Sequence, residues 1–352
     1  MRRLLGAALA ALLLCACSTG GPSTTRTNAP AAATTFANVQ PKPPSTKDTT
    51  TTLPGADRPP IVVGDMNTPE QFMLGALYQQ ALTAQGYHVE LTRDIGTTAV
   101  SEHALAQGSL DIYPQYLNKF ATDVMGDHSR FPSLTAAYAA ARAYAKAHKL
   151  TLLAPTPFSD TAGIAVLTPF ARRNHLRSLS DLKRVSAKLT LGVPLEYSLE
   201  PDGLPALERA YKFKSGLTTS ANIGNQYDML RNGTIQAAYV ATSDGELASD
   251  DITTLSDPQG FYGYGNVVPV IRNSVLKQEG PAFAQTIERV DSLLTQRAIR
   301  GLNAEMSQSS LDPEAISGEV ARDFLQGYGM APPPPWSTTT STTTTATRST
   351  TR

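Results

Sequence analysis

An α/β fold of two lobes joined by two crossing strands is predicted by three observations. Short apolar strands alternate with helices along residues 60–116, the order that builds parallel strand–helix–strand units. A second alternation of the same kind runs from about residue 179 to residue 255. Two long apolar runs, Thr161 to Leu167 and Asn266 to Ile271, stand where the chain would pass from the first set to the second and back.

The first set can be justified residue by residue. Ile61-Val62-Val63-Gly64 is an apolar strand ending in glycine. Thr68 is a natural N-cap, Pro69 suits the first helical position, and Gln71 completes a capping box. Leu74, Leu77, Tyr78, Ala81 and Leu82 then recur on one face, and Gly86 ends the helix before the strand His88-Val89-Glu90-Leu91. A cap at Thr97 or Thr98 opens the helix carrying Ala104 and Leu105, Gly108 closes it, and Asp111-Ile112-Tyr113 is the third strand. Ligands of such units bind beyond the carboxyl ends of the strands. Two such ends are Gly64-Asp65-Met66-Asn67 and Tyr113-Pro114-Gln115-Tyr116, and the helix start at Thr68 turns free N–H groups toward the same crevice.

The remaining elements follow in order. Leu134 to His148 is an Ala-rich helix and Thr151 to Ala154 a strand; the second set takes helices at Leu179 to Val185, Gly203 to Tyr211 and Asn225 to Asn232. Its strands are Leu189 to Val193, Ala237 to Ala241 and Ile252 to Leu255. Helices Pro281 to Leu302 and Pro313 to Leu325 then pack on the first lobe. The domain reading is therefore 59–164 for the first part of lobe 1, 165–266 for lobe 2, and 267–331 for the return to lobe 1. A hinged pair of lobes closes around a ligand.

Both ends read as unfolded. Residues 1–16 combine Arg2-Arg3 with an apolar run from Leu4 to Leu14, too short for a bilayer anchor and suited to an export signal. Leu14-Cys15-Ala16-Cys17 resembles the lipobox of bacterial lipoproteins, which implies cleavage before Cys17 and acylation of its sulfur, holding the protein at a membrane. Residues 17–58 are rich in Ser, Thr, Pro and Ala and read as a flexible tether. Residues 332–352, a Pro run, Trp336 and a Thr/Ser run, read as a disordered tail, either O-glycosylated or inert.

Composition excludes several function classes. Lys and Arg number 30, as do Asp and Glu, so the basic footprint of a nucleic-acid binder is missing. The two cysteines are Cys15 and Cys17, which leaves no disulfide framework elsewhere, and the five histidines stand singly, which argues against a metal site. No nucleophile elbow, metalloprotease helix, phosphate loop or dinucleotide fingerprint occurs, and Gly260-Phe261-Tyr262-Gly263-Tyr264-Gly265 has the wrong spacing for one. The expectation is a binding protein with neither a catalytic residue nor a cofactor.

Ile61 to Gly64, Thr68-Pro69-Glu70-Gln71, the run Leu74 to Leu82, Gly86-Tyr87, Gly96-Thr97-Thr98, Leu110 to Tyr116 and Ser243-Asp244-Gly245 resemble one family. It is that of the quaternary-amine (glycine betaine, choline, carnitine) solute-binding proteins of ABC importers. The resemblance covers about residues 60–330, densely in the first lobe and thinly in the second. It implies a two-lobe periplasmic-binding-protein clamp of type II with the two crossover strands as hinge. It implies too a monomer outside the cytoplasmic membrane, lipid-anchored, delivering an osmoprotectant to a permease with a cytoplasmic ATPase. Such proteins cage the trimethylammonium head with tyrosines and grip a carboxylate with Lys, Arg and Thr.

Carried over by position, Tyr116 matches a cage tyrosine, while Met66 stands at the lysine position, Glu200 at the arginine and Lys119 at the threonine. Ala162 and Ala241 stand where two further cage tyrosines are expected. Gln71, Asn67, Tyr113 and Tyr197 complete the candidate ligand-binding set, with Tyr239, Tyr262 and Tyr264 as further walls. Each lost cation removes a charge-assisted bond of about 1.5–3 kcal/mol to a carboxylate, and Glu200 repels one. Glu200 then either faces a cationic ligand or pairs with Lys119 as a latch. The alternatives are an aromatic or sugar-like ligand in the vacated room, or a sensor or scaffold that does not serve import.

Overall fold

The structure is a computed structural model that describes residues 52–331, residue 223 excepted. The expected signal segment, Cys17, most of the tether and the Thr-rich tail lie outside the described residues.

In chain order the first lobe comprises β1 (Ile61–Gly64), α1 (Pro69–Ala84), β2 (Val89–Thr92), α2 (Thr98–Gln107), β3 (Ile112–Tyr116), the single turn α3 (Leu117–Lys119), α4 (Leu134–Ala147) and β4 (Leu150–Leu152). The second comprises β5 (Ala162–Leu167), α5 (Thr168–Asn174), β6 (Thr190–Val193), α6 (Leu195–Leu199), α7 (Leu204–Tyr211), β7 (Leu217–Ser220), α8 (Gln226–Arg231), β8 (Ala237–Ala241) and β9 (Ile252–Thr254). The chain then returns through β10 (Val267–Arg272), α9 (Asn273–Glu279), α10 (Pro281–Leu293), α11 (Gln296–Gln308) and α12 (Pro313–Gln326). Two five-stranded sheets result, ordered β2-β1-β3-β10-β4 and β7-β6-β8-β5-β9.

The two long apolar runs are not themselves the crossings. β5 lies between β8 and β9, and β10 between β3 and β4, each antiparallel to both neighbours. They are apolar because a central strand is covered on both faces, and both sheets are therefore mixed. The boundary expected at 164/165 falls inside β5. The crossings are the polar segments just before β5 and β10, joined by a bridge between Ser159 and Asn266 and by Asp160 N–H donating to the Gly265 carbonyl at 3.0 Å. Asn266 fixes the pair, its amide donating to the carbonyls of Thr156 and Phe158 at 2.9 and 3.0 Å.

Local signals explain most of the helices. Thr68 Oγ1 accepts from Gln71 N–H at 3.3 Å, but the Gln71 side chain makes no hydrogen bond among the described residues, so only half of the expected capping box forms. α1 is buried nearly all round, with Phe72, Met73 and Ala76 inside as well as the expected stripe. A helix covered on every side loses its one-faced pattern. The predicted helix Pro281 to Leu302 breaks at Leu294, whose ψ is 71°, and Thr295 caps a new helix by accepting from Ala298 N–H at 3.2 Å. Residues 179–184 form a 3₁₀ helix in place of the expected α-helix.

One buried carboxyl in lobe 1 makes a testable point. Asp291 on α10 accepts from Tyr78 Oη at 2.7 Å, and its other oxygen has no partner among the described residues. Burial pushes this carboxyl well above the ordinary carboxylate range. The folded chain thus keeps a proton that the unfolded chain releases, and stability falls as pH rises above that range. Asp291→Asn is expected to flatten this dependence and to melt a few degrees above the wild type at pH 8, roughly the effect of 1 kcal/mol. Melting curves at pH 5 and pH 8 check it; an equal drop at both would rule the explanation out.

Candidate functional site

A cavity of about 320 Å³ lies between the lobes, with Tyr116 and Asn118 on one side and Ala162, Gln226, Tyr239 and Asp244 on the other. Asp160, on the first crossing, lines it too. β3 delivers Tyr116 at its carboxyl end, where the strand pattern placed a ligand end. β5 and β8 face each other in register, with Ala162 opposite Ala241 and Gly163 opposite Val240. The two alanines singled out in the sequence are thus direct neighbours on one wall, where their methyl groups leave open space.

The electrostatics of the cavity are acidic. Tyr116 donates to Glu70 Oε1 at 2.7 Å, and Asn303 Nδ2 donates to the other oxygen of Glu70 at 2.7 Å. Burial pushes the Glu70 carboxyl up, opposed by these two bonds. Asp160 is pushed up to about 7, first by burial and then by the nearby charge of Glu70. Asp244 is raised by burial as well, while accepting from the Tyr227 hydroxyl and from Ala241 N–H. Two acceptors on the wall, Asp160 Oδ1 and Gln226 Oε1, are buried without a partner among the described residues, and Gln226 is only 3% exposed. A buried acceptor left unpaired is costly unless something donates to it or carries positive charge.

The structure distributes the sequence-predicted residues unevenly. Tyr116 lies on the cavity wall, and Lys119 lies at its edge, exposed. Tyr197 stands behind Tyr239, their ring centroids 4.6 Å apart, and its hydroxyl meets that of Tyr262 at 3.0 Å. Gln71 is fully buried in the first turn of α1. Tyr113 is buried in the core of lobe 1 with its hydroxyl on Glu102 at 2.6 Å, so it is no wall of the cleft. Met66 is half-buried and Asn67 exposed, and neither lines this cavity. The reason is Asp65, which turns inward to accept from Asp94 N–H at 3.0 Å and to pair with Arg93 at 3.3 Å, so that strand end braces β2. Glu200 is exposed beyond α6 and forms no ion pair with Lys119 among the described residues. Its charge reaches the site only at a distance, as a minor push on Tyr239.

Sequence reasoning missed Asp160, Gln226 and the face of α11 that grips the second lobe. Gln296 and Arg300 both donate to the Thr242 carbonyl at 2.8 Å, and Asn303 donates to the Ser243 carbonyl at 2.9 Å. The helical spacing of 296, 300 and 303 was a signal. Thr242 also joins the first crossing, donating from its hydroxyl to the Ser159 carbonyl at 2.8 Å and accepting from Thr161 N–H at 2.9 Å.

Comparison with known proteins bears directly on this arrangement. The family described as the substrate binding domain of ABC-type glycine betaine transport system matches residues 59–327. The glycine betaine-binding protein YehZ of Escherichia coli is 31% identical over 289 residues, 79% of this chain and 93% of that protein. Its apo structure gives a TM-score of 0.68 over 77% of this chain and 99% of its own. The glycine-betaine-binding protein of Pseudomonas aeruginosa is 28% identical over 74% of this chain and 86% of that protein. A crystal structure titled as a glycine betaine/carnitine/choline ABC transporter shares the fold, with a TM-score of 0.71 over 78% of this chain and 99% of its own at 22% identity. The two sheets and their helices form the type II two-lobe clamp seen there.

Proposed function

Because this chain belongs to the family of substrate-binding domains of ABC-type glycine betaine transport systems, we propose that its cleft captures a small quaternary amine whose far end carries no carboxylate, as in choline. Members of the family are extracytoplasmic and hand a small solute to a membrane permease. Binding and release proceed without chemical turnover, and the chain acts as a monomer held at the membrane through acylated Cys17.

One observation carries the choice of ligand. Asp160 Oδ1 and Gln226 Oε1, acceptors without a partner among the described residues, belong to residues that line one cavity with Tyr116, Tyr239 and Asp244. Aromatic faces and carboxylates attract a cation. A ligand carboxylate in the same space would meet Asp160 and Asp244, with exposed Lys119 as the one basic residue among those lining this cavity.

Choline at about a hundred times its dissociation constant is expected to stabilise the protein by roughly 2.7 kcal/mol, read as a melting shift. Glycine betaine at the same concentration is expected to give a smaller one. A larger shift with glycine betaine, or a shift with neutral sugars alone, would sink the proposal. For the anchor, the mass of the chain extracted from membranes is expected to be that of a protein beginning at Cys17 with its acyl groups; an unmodified Cys17 would refute it.

A further inference from the structure

We infer that the cleft accepts an elongated organic cation, its charged head beside Tyr116 and Asp160 and a flat aromatic end in a second chamber beyond Ala162. The inference rests on the reading of the inner chamber as a cation site and extends it to the size and shape of the ligand.

The second chamber, of about 440 Å³, shares Asn118, Lys119 and Ala162 with the first. Either volume alone reaches the range that holds drug-sized ligands, far more than a trimethylammonium head requires. The two chambers are neighbours. Tyr239 faces the inner chamber, Tyr197 and Tyr262 face the outer one, and the three are held together by the 4.6 Å contact of Tyr197 with Tyr239 and the 3.0 Å contact of the Tyr197 and Tyr262 hydroxyls. Beside this tyrosine cluster the wall is Ala162, paired across the sheet with Ala241, and no side chain larger than a methyl group stands at either position. Ala162 thus belongs to the walls of both chambers, as do Asn118 and Lys119, while Ala241 lines the inner one alone.

The character of the outer chamber selects the other end of the ligand. Phe261 and Tyr262 meet edge to face at 5.0 Å, and the guanidinium of Arg130 sits 4.6 Å from the Phe261 ring centre. Tyr264 adds a further ring, and Asp127 and Asp202 place acceptors at the rim. Rings set edge to face around a space, with a cation already stacked on one of them, favour a planar aromatic group. A flexible aliphatic tail gains less from such walls and loses more chain entropy on being ordered.

The test uses the purified chain and titration calorimetry at pH 8 with three probes: choline, trimethyl(3-phenylpropyl)ammonium and 3-phenylpropanol. The phenylpropyl cation is expected to bind at least tenfold more tightly than choline, and the neutral alcohol far more weakly than either. Ala162→Tyr, which fills the wall that the two chambers share, is expected to abolish that advantage. Phe261→Ala, remote from the head, is expected to cut the ratio of the two cation affinities by fivefold or more, which keeps the test decisive if Ala162→Tyr does not fold. Choline binding with no gain for the phenylpropyl cation would overturn the two-chamber inference and leave the cation reading standing. Failure of both cations to bind would overturn both.

Discussion

Asp160→Asn is expected to weaken choline binding by roughly 10- to 100-fold, the loss of one charge-assisted contact of about 1.5–3 kcal/mol. The wild type should carry the same dependence in its pH profile. Burial and the charge of Glu70 push Asp160 up to about 7, so near and below that pH the free protein holds a proton that a bound cation must expel. Affinity is then expected to fall as pH drops from 8 to 6, approaching tenfold per pH unit at the lower end. The variant should lack that slope. Stability runs in the opposite sense. Because the folded-state value is raised, the unliganded wild type loses stability as pH climbs from the ordinary aspartate range toward 7. Asp160→Asn is therefore expected to melt above the wild type at pH 8 while binding worse. Calorimetric titrations and melting curves at pH 6, 7 and 8 decide it; a flat wild-type affinity profile would refute the role given to Asp160.

Gly265→Ala is expected to be the most damaging single substitution at the hinge. A Cβ at this position would lie 1.7 Å from the Asp160 carbonyl oxygen and 2.5 Å from its carbon, both backbone atoms that cannot swing aside. The two crossings must separate by more than an ångström, which breaks the bond from Asp160 N–H to the Gly265 carbonyl. Overpacking of about 1–3 kcal/mol plus about 1 kcal/mol for the bond amounts to about 2–4 kcal/mol. At 2–4 °C per kcal/mol for a chain of this size, the melting temperature should fall by roughly 5–15 °C. Choline affinity should fall with it, since Asp160 is displaced. A variant melting within a degree of the wild type would show that the crossings are not held as described.

These two positions also mark what the sequence did and did not reveal. The strand at Ile61, the Thr68-Pro69 helix start and the ligand end at Tyr116 were legible because each rests on local chemistry within a few residues. Asp160 was not, since nothing in Phe158-Ser159-Asp160-Thr161 distinguishes a carboxylate aimed at a cleft from a solvated one. That distinction is made first by burial against segments distant in the chain and then by the charge of Glu70, ninety residues earlier. The break at Leu294 lacks a Gly or Pro and is fixed by tertiary contact, Phe158 N–H donating to the Leu294 carbonyl at 3.0 Å. Glu200 and Met66 were placed by position alone, and position does not say which way a loop turns its side chains. Ala162 and Ala241 were recognised as open positions, but that they stand opposite each other depended on the β5–β8 register.

The grip of α11 on Thr242 has a mechanical consequence. Gln296 and Arg300 from one lobe, and Ser159 and Thr161 from the crossing, all bond to this one residue of the other lobe. Points tied from both sides move least when two bodies turn against each other, so Thr242 is placed to serve as the fulcrum of such a turn. Displacement then grows with distance from that residue, as it does along any lever. A longer guest, of the kind inferred for this cleft, would bear on such a turn from farther out, so that its length as well as its charge would set how far the jaws travel.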